Sequence, residues 1–169
     1  MSLSLAIRPP DKQANVASFA CGRPALDQYL ARYASQDVRR NVTRVFVATP
    51  ANDAGRVAGF YSLSAAGVQC ADLPPAIAKK LPLYPIPVAL LGRLAVATGF
   101  QGQGGGSVLL FDACKKVVLA ESVLAIAGLL VDAKDGDAAD FYRHFGFVPM
   151  EHTGRRFFLG VQVLRQLAG

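Results

Sequence analysis

The chain has 169 residues, 52% hydrophobic and 18% charged, a composition that excludes a disordered chain and suits one domain burying about 70% of its unfolded surface. Its net charge of +6 and isoelectric point near 9.5 make a polyanionic partner plausible. No stretch approaches the roughly 18 consecutive apolar residues of a membrane helix, and MSLSLAIRPPDKQ lacks the basic and apolar regions of a signal peptide, so a cytoplasmic protein away from membranes is expected.

SLSLAIRP alternates well enough for a first strand. RPALDQYLARYASQDV places Leu26, Tyr29, Leu30 and Tyr33 on one helical stripe, with Pro24 in the first turn. TRVFVAT reads as a strand, PANDAG as a turn and RVAGFYSLSAAGV as the returning strand of a hairpin. DLPPAIAKKLP has room for a short helix between prolines, and IPVALLGRLAVA predicts a strand buried on both faces. Leu110, Ala113, Cys114 and Val117 then share the face of a helix running to about Ala120. LAIAGLLVDA is a second buried strand and GDAADFYRHF a short helix, while GFVPM and RRFFLGVQVL supply the closing strands. Antiparallel strands followed by a strand–helix–strand crossover predict a mixed α/β sheet in a single domain spanning residues 1–169.

Cys21, Cys70 and Cys114 are widely spaced and form no CxxC pair, which points to free thiols in a reducing compartment. His144 and His152 have no metal-ligand spacing, so no metal site is expected. The segment FQGQGGGSVLLFDACKKV places glycines ahead of a helix that their propensity opposes. A P-loop would need a lysine after the last glycine, and a dinucleotide fingerprint counted from Gly102 fails at Ser107. What remains is Gln101-x-x-Gly104-x-Gly106 after an apolar strand and opening a helix. Such a loop can present backbone N–H groups and a helix N-terminus to a pyrophosphate, or can be an ordinary glycine-rich turn.

That Q-x-x-G-x-G pattern, in this element order, resembles the coenzyme A loop of the GNAT superfamily of N-acetyltransferases. More narrowly, CGRPALDQYLARYASQDVRRNVTRVFVA, GFYSLSA, LPLYPIPVALLGRLAV, FQGQGGGSVLLFDA and FYRHFGFVP resemble, in order, the acetyltransferase toxins of bacterial toxin–antitoxin modules. Gly105, where relatives more often carry leucine, and Asp135, where many carry asparagine, depart from the pattern.

The resemblance implies a GNAT fold: a central mixed sheet flanked by helices, with its fourth and fifth strands splayed around acetyl-CoA. It implies that main-chain groups of Leu94, Ala95 and Val96 pair with the pantetheine arm. Gln101, Gln103, Gly104, Gly105, Gly106 and Ser107 would surround the pyrophosphate, and Tyr142 would act as general acid toward the departing thiolate. A phenol with pKa near 10 is close enough to a thiol's for that role, although Phe141, Tyr142, Phe145 and Phe147 also read as core aromatics. The strand carrying RLAV contains no Asp or Glu. A lysine amine, with pKa near 10.4, profits from a base, whereas an α-amine near 7.7–8.0 is already partly neutral. The missing carboxylate therefore favours an α-amine, in agreement with what the toxin resemblance implies: acetylation of aminoacyl-tRNA and a block on translation.

Arg93, inside an apolar strand, is read either as half of a salt bridge or as a contact to the tRNA acceptor end. Arg32, Arg39 and Arg40, with Arg44, Lys79 and Lys80, read as a solvated basic face or as phosphate contacts to tRNA. No aromatic-rich base-reading motif accompanies them. The resemblance also implies a homodimer and an antitoxin with a ribbon–helix–helix DNA-binding part. The alternatives are a GNAT enzyme acting on a small-molecule amine or protein N-terminus, and a basic binding module without activity.

Overall fold

The computed structural model describes residues 3–150, 152 and 154–169. Its elements are β1 (Leu5–Arg8), α1 (Pro24–Gln28), a π-helical turn (Tyr29–Tyr33), α2 (Ala34–Arg39), β2 (Arg44–Pro50), β3 (Gly59–Val68), α3 (Pro75–Ala78), β4 (Ile86–Val96), α4 (Gly105–Glu121), β5 (Gly128–Asp132), α5 (Gly136–His144), β6 (Val148–Pro149), β7 (Arg156–Gly160) and α6 (Val161–Ala168). Seven strands form a mixed sheet in the order β1-β2-β3-β4-β5-β7-β6. β4 and β5 are parallel, as a strand–helix–strand crossover requires, while β1/β2, β2/β3, β5/β7 and β6/β7 are antiparallel. Ser2, at the start of the expected first strand, lies outside the described residues; that strand runs over Leu5–Arg8.

Two compact units are distinguishable, one comprising the chain up to Ser64 with Arg93–Ala113, the other Ala65–Gly92 with Cys114–Gly169. In the first, Phe19, Tyr29, Leu30, Val45, Val47, Phe60 and Ala95 form the core. Phe19 meets Phe60 edge-on, their ring centroids 5.4 Å apart. Gly59 permits the tightest approach here: a Cβ added to it would stand 2.8 Å from the Ala95 carbonyl and 2.9 Å from Leu109 Cδ1. In the second unit, Val68, Leu73, Ile86, Val88, Leu130, Met150 and Phe158 form the core.

Three sequence expectations need correction. The stripe Leu26–Tyr29–Leu30–Tyr33 assumes a constant 3.6-residue period, but the turn at Tyr29–Tyr33 is π-helical and inserts an extra residue into the phase. Tyr33 is consequently 53% exposed and Ala34, at 3%, takes the inward place. VQVL is not strand: α6 begins at Val161, directly after β7, and buries Leu164. β4 is not buried on both faces along its length, since Pro87 is exposed and Arg93, Leu94 and Val96 are half-buried. The helix behind the glycines lies where its period places it, with Leu110, Ala113, Cys114 and Val117 buried, joined by Leu109. All three cysteines are buried, and none forms a disulfide among the described residues.

Candidate active site

The first unit assembles the glycine loop from distant parts of the chain. The register of β4 with β5 covers Ala89–Leu91 against Leu129–Val131, so the Arg93–Val96 end of β4 lies beyond that pairing. Ala95 turns its side chain into the core, at 1% exposure. Past the strand, the Ala97 N–H donates to the Ala58 carbonyl (2.8 Å) and the Thr98 N–H to the Ala20 carbonyl (2.9 Å). Gln101 then folds back: its Nε2 donates to the carbonyls of Val96 (2.9 Å) and Cys21 (3.0 Å). The side chain expected against a pyrophosphate is thus committed to holding the loop onto the end of β4. Gln103 is exposed and reaches the Gly99 carbonyl only at 3.5 Å.

Gly102 and Gly104 both have φ of +81°, backbone that non-glycine residues adopt at a cost. No protein atom lies within 4 Å of a Cβ built on either, so conformation and not packing selects glycine there. At Gly105 an added Cβ would make ordinary contact with Val96 Cγ1 at 3.5 Å and with Leu3 Cδ2 at 3.6 Å, so packing at the Cβ does not require glycine here. α4 begins at Gly105, and the Val108 N–H donates to the Gly104 carbonyl (3.2 Å). The N–H groups of Gly105, Gly106 and Ser107 precede that bond and have no intrahelical acceptor. They point out of the positive end of a 17-residue helix. This is donor chemistry for a diphosphate, and the half-buried end of β4 offers main-chain groups to an amide-bearing arm; the residues present fit coenzyme A.

Of the two readings of Arg93, the salt bridge is not made among the described residues. Its guanidinium carbon sits over the Tyr29 ring, 3.4 Å from the centroid, while Tyr29 Oη donates to Asp37 Oδ2 at 2.9 Å. The arginine is therefore held by an aromatic face, and the expected salt bridge is replaced by a stacked cation. Burial, then the hydrogen bond to Asp37, push the Tyr29 phenol up to about 12, with Arg93 opposing them. Arg32, Arg39, Arg40 and Arg44 are all exposed. Arg39 and Arg44 come together in lining a cavity of about 340 Å³ with Val38 and Phe46.

Tyr142 belongs to the second unit, on α5. Asp135 caps this helix, its Oδ1 accepting from the Ala138 N–H at 2.8 Å, which gives the departure from asparagine a structural role. The Tyr142 side chain is 5% exposed, and its ring meets those of Phe141 and Phe147 edge-on at 5.3 and 5.4 Å. Among the described residues its hydroxyl has no hydrogen-bond partner. Burial, and secondarily the Asp132 carboxylate, raise its pKa above that of a free phenol, so it holds its proton throughout the neutral range. Asp132 is itself gripped by Arg156 through two bonds of 2.8 and 3.1 Å. Sequence reasoning missed Asp132 because only the β5–β7 register, which sets it opposite Arg156, reveals the pair. His144 and His152 are exposed. No helix among the described residues is long and apolar enough to cross a membrane.

Residues 41–149 match the acetyltransferase (GNAT) domain family. A tRNA-acetylating toxin of Mycobacterium tuberculosis is 41% identical over 133 residues, covering 79% of this chain and 78% of that protein. The structure of AtaT complexed with acetyl-methionyl-tRNAfMet superposes with a TM-score of 0.89 at 29% identity, covering 98% of this chain and all of that one. A tyrosine-to-phenylalanine variant of AtaT, bound to acetyl-CoA and the C-terminus of the antitoxin AtaR, superposes with a TM-score of 0.82. It is 26% identical over 96% of this chain and 97% of that one.

Proposed function

The chain belongs to the GNAT acetyltransferase family, and from that premise we propose that it is the toxin of a toxin–antitoxin module, transferring acetyl from acetyl-CoA to the α-amino group of aminoacyl-tRNA and so blocking translation. Acetyl-CoA supplies the acetyl group as a thioester whose C–S bond is broken. The amides of Gly105, Gly106 and Ser107, at the positive end of α4, hold the diphosphate. Gly102 and Gly104 turn the chain to aim them, Gln101 fixes the loop, and Gln103 borders it. Main-chain groups of Leu94, Ala95 and Val96 hold the pantetheine arm.

Tyr142 Oη carries the proton that the departing sulfur takes up. The buried tyrosine is a weaker acid than a free phenol, yet the match with sulfur survives, because burial weakens a thiol's acidity in the same direction. Burial pushes the Cys114 thiol up to about 12 in the same way. The proton lost by the attacking amine passes to water. An aminoacyl α-amine is partly neutral near pH 7, which is consistent with a β4 that carries no carboxylate.

Arg93, Arg32, Arg39 and Arg40 contact the tRNA, giving an affinity that falls with salt. The protein works in the cytoplasm, as one domain and as a homodimer, and is neutralised by a ribbon–helix–helix antitoxin. The observation that carries the proposal is the buried Tyr142 hydroxyl, which has no hydrogen-bond partner among the described residues, since such a group is costly unless a ligand engages it. The test incubates the full chain with labelled acetyl-CoA and a mixed aminoacyl-tRNA pool, followed by mass spectrometry of the released amino acids. N-acetylated amino acids are expected. Labelling of free amines or protein N-termini with none on tRNA would refute the substrate.

A further inference from the structure

Between α3 and β4 the chain crosses the segment Lys79-Lys80-Leu81-Pro82-Leu83-Tyr84-Pro85. Both ends of this strap are anchored. Ile77, Ala78 and Leu81 pack against the second unit's core, and Ile86 lies within it at 2% exposure. The Lys80 N–H donates to the Ile77 carbonyl and the Leu81 N–H to the Ala78 carbonyl, both at 3.1 Å. Between the anchors the side chains turn outward, leaving Leu83 91% and Tyr84 68% exposed.

Such exposure of two adjacent large apolar residues is costly in water, and the backbone gives them little freedom to withdraw. Pro82 and Pro85 lock their own φ angles, and each restricts the residue before it to extended conformations. Tyr84 precedes Pro85, so the ring is held out on a stiff segment and loses little entropy when something covers it. Lys79 and Lys80 are exposed on the same strap, and no side-chain partner engages either one among the described residues. Two uncompensated cations beside a presented aromatic face suit a ligand carrying both phosphates and flat bases. An apolar peptide would make no use of the charges.

We infer that the Lys79–Pro85 strap is an RNA-binding element, with the Tyr84 ring stacking on an unpaired base of the tRNA and Lys79 and Lys80 contacting its phosphates. The inference rests on the tRNA reading above and adds base contact to what the sequence motifs alone suggest is backbone recognition. Stacking tolerates any base, because every base has a π face, so the strap contributes affinity for a single-stranded end and does not select among tRNAs.

The test compares wild type, Tyr84→Ala and Tyr84→Phe in steady-state acetylation of a mixed aminoacyl-tRNA pool at fixed salt. Thermal unfolding is measured alongside as a control. Loss of one base–aromatic stack raises KM for tRNA about 5- to 150-fold. The alanine variant should show that rise with KM for acetyl-CoA unchanged, and the phenylalanine variant, which keeps the ring, should stay within about twofold of wild type. A second arm measures binding of deacylated tRNA by fluorescence anisotropy, where the same ratio between Tyr84→Ala and wild type is expected. If wild type acetylates no tRNA, the substrate reading fails, and the anisotropy arm still decides the role of the strap. Equal KM and equal affinity for Tyr84→Ala and wild type, or a phenylalanine variant as impaired as alanine, overturns the inference.

Discussion

Replacing Tyr142 with phenylalanine removes one oxygen atom and nothing else. The ring keeps its edge-on contacts with Phe141 and Phe147, at 5.3 and 5.4 Å. Its hydroxyl is buried and, among the described residues, unpartnered, so the substitution breaks no hydrogen bond within the protein. A buried polar group left unsatisfied costs about 1–3 kcal/mol. Tyr142→Phe should therefore match wild type in stability or exceed it by up to about that amount, a rise of about 2–4 °C in Tm per kcal/mol for a chain this size. Activity should move the other way. Loss of a general acid costs about 10²- to 10⁴-fold, or about 2.7–5.4 kcal/mol of transition-state stabilisation. Single-turnover acetylation at saturating acetyl-CoA, paired with calorimetric unfolding of the free protein, reads both quantities. A residue that only packs would show the same stability and keep its chemistry. A variant acetylating within about tenfold of wild type, or melting several degrees lower, refutes the reasoning.

Gly59→Ala should destabilise the fold by about 1–3 kcal/mol, because overpacking has no soft neighbour to yield at the Ala95 carbonyl 2.8 Å away; urea denaturation reads the loss. Gln101→Ala removes the two bonds that hold the loop to the carbonyls of Val96 and Cys21. KM for acetyl-CoA should rise several-fold with a smaller change in kcat, and an unchanged KM would deny the side chain its positioning role. Tyr29 has its phenol raised from 10 to about 12 in the fold, so its contribution to stability is complete below pH 10 and is lost as pH rises toward 12. Urea midpoints across that range should fall more steeply in wild type than in Tyr29→Phe.

Features that depend on short range and on period were legible before folding. The 3.6-residue spacing of Leu110, Ala113, Cys114 and Val117 located α4, a run rich in β-branched and aromatic residues located β2, an apolar run located β4, and the crossover around α4 required the parallel β4–β5 pair. The glycine-rich stretch read either as a diphosphate loop or as an ordinary turn, and two of its glycines, Gly102 and Gly104, take positive φ. Matters that depend on partners far along the chain, or on a shift of phase, emerged with the folded chain. A π-helical turn moved Tyr33 outward and Ala34 inward, against a periodicity that assumes regular helix. Gln101 found its acceptor 80 residues away at Cys21, and Arg93 met the Tyr29 face instead of a carboxylate. Local preferences act through neighbouring bonds and sterics, and can be read from a string of letters. Hydrogen bonds, stacking and burial are set by distance in space, which the string does not carry until it has folded.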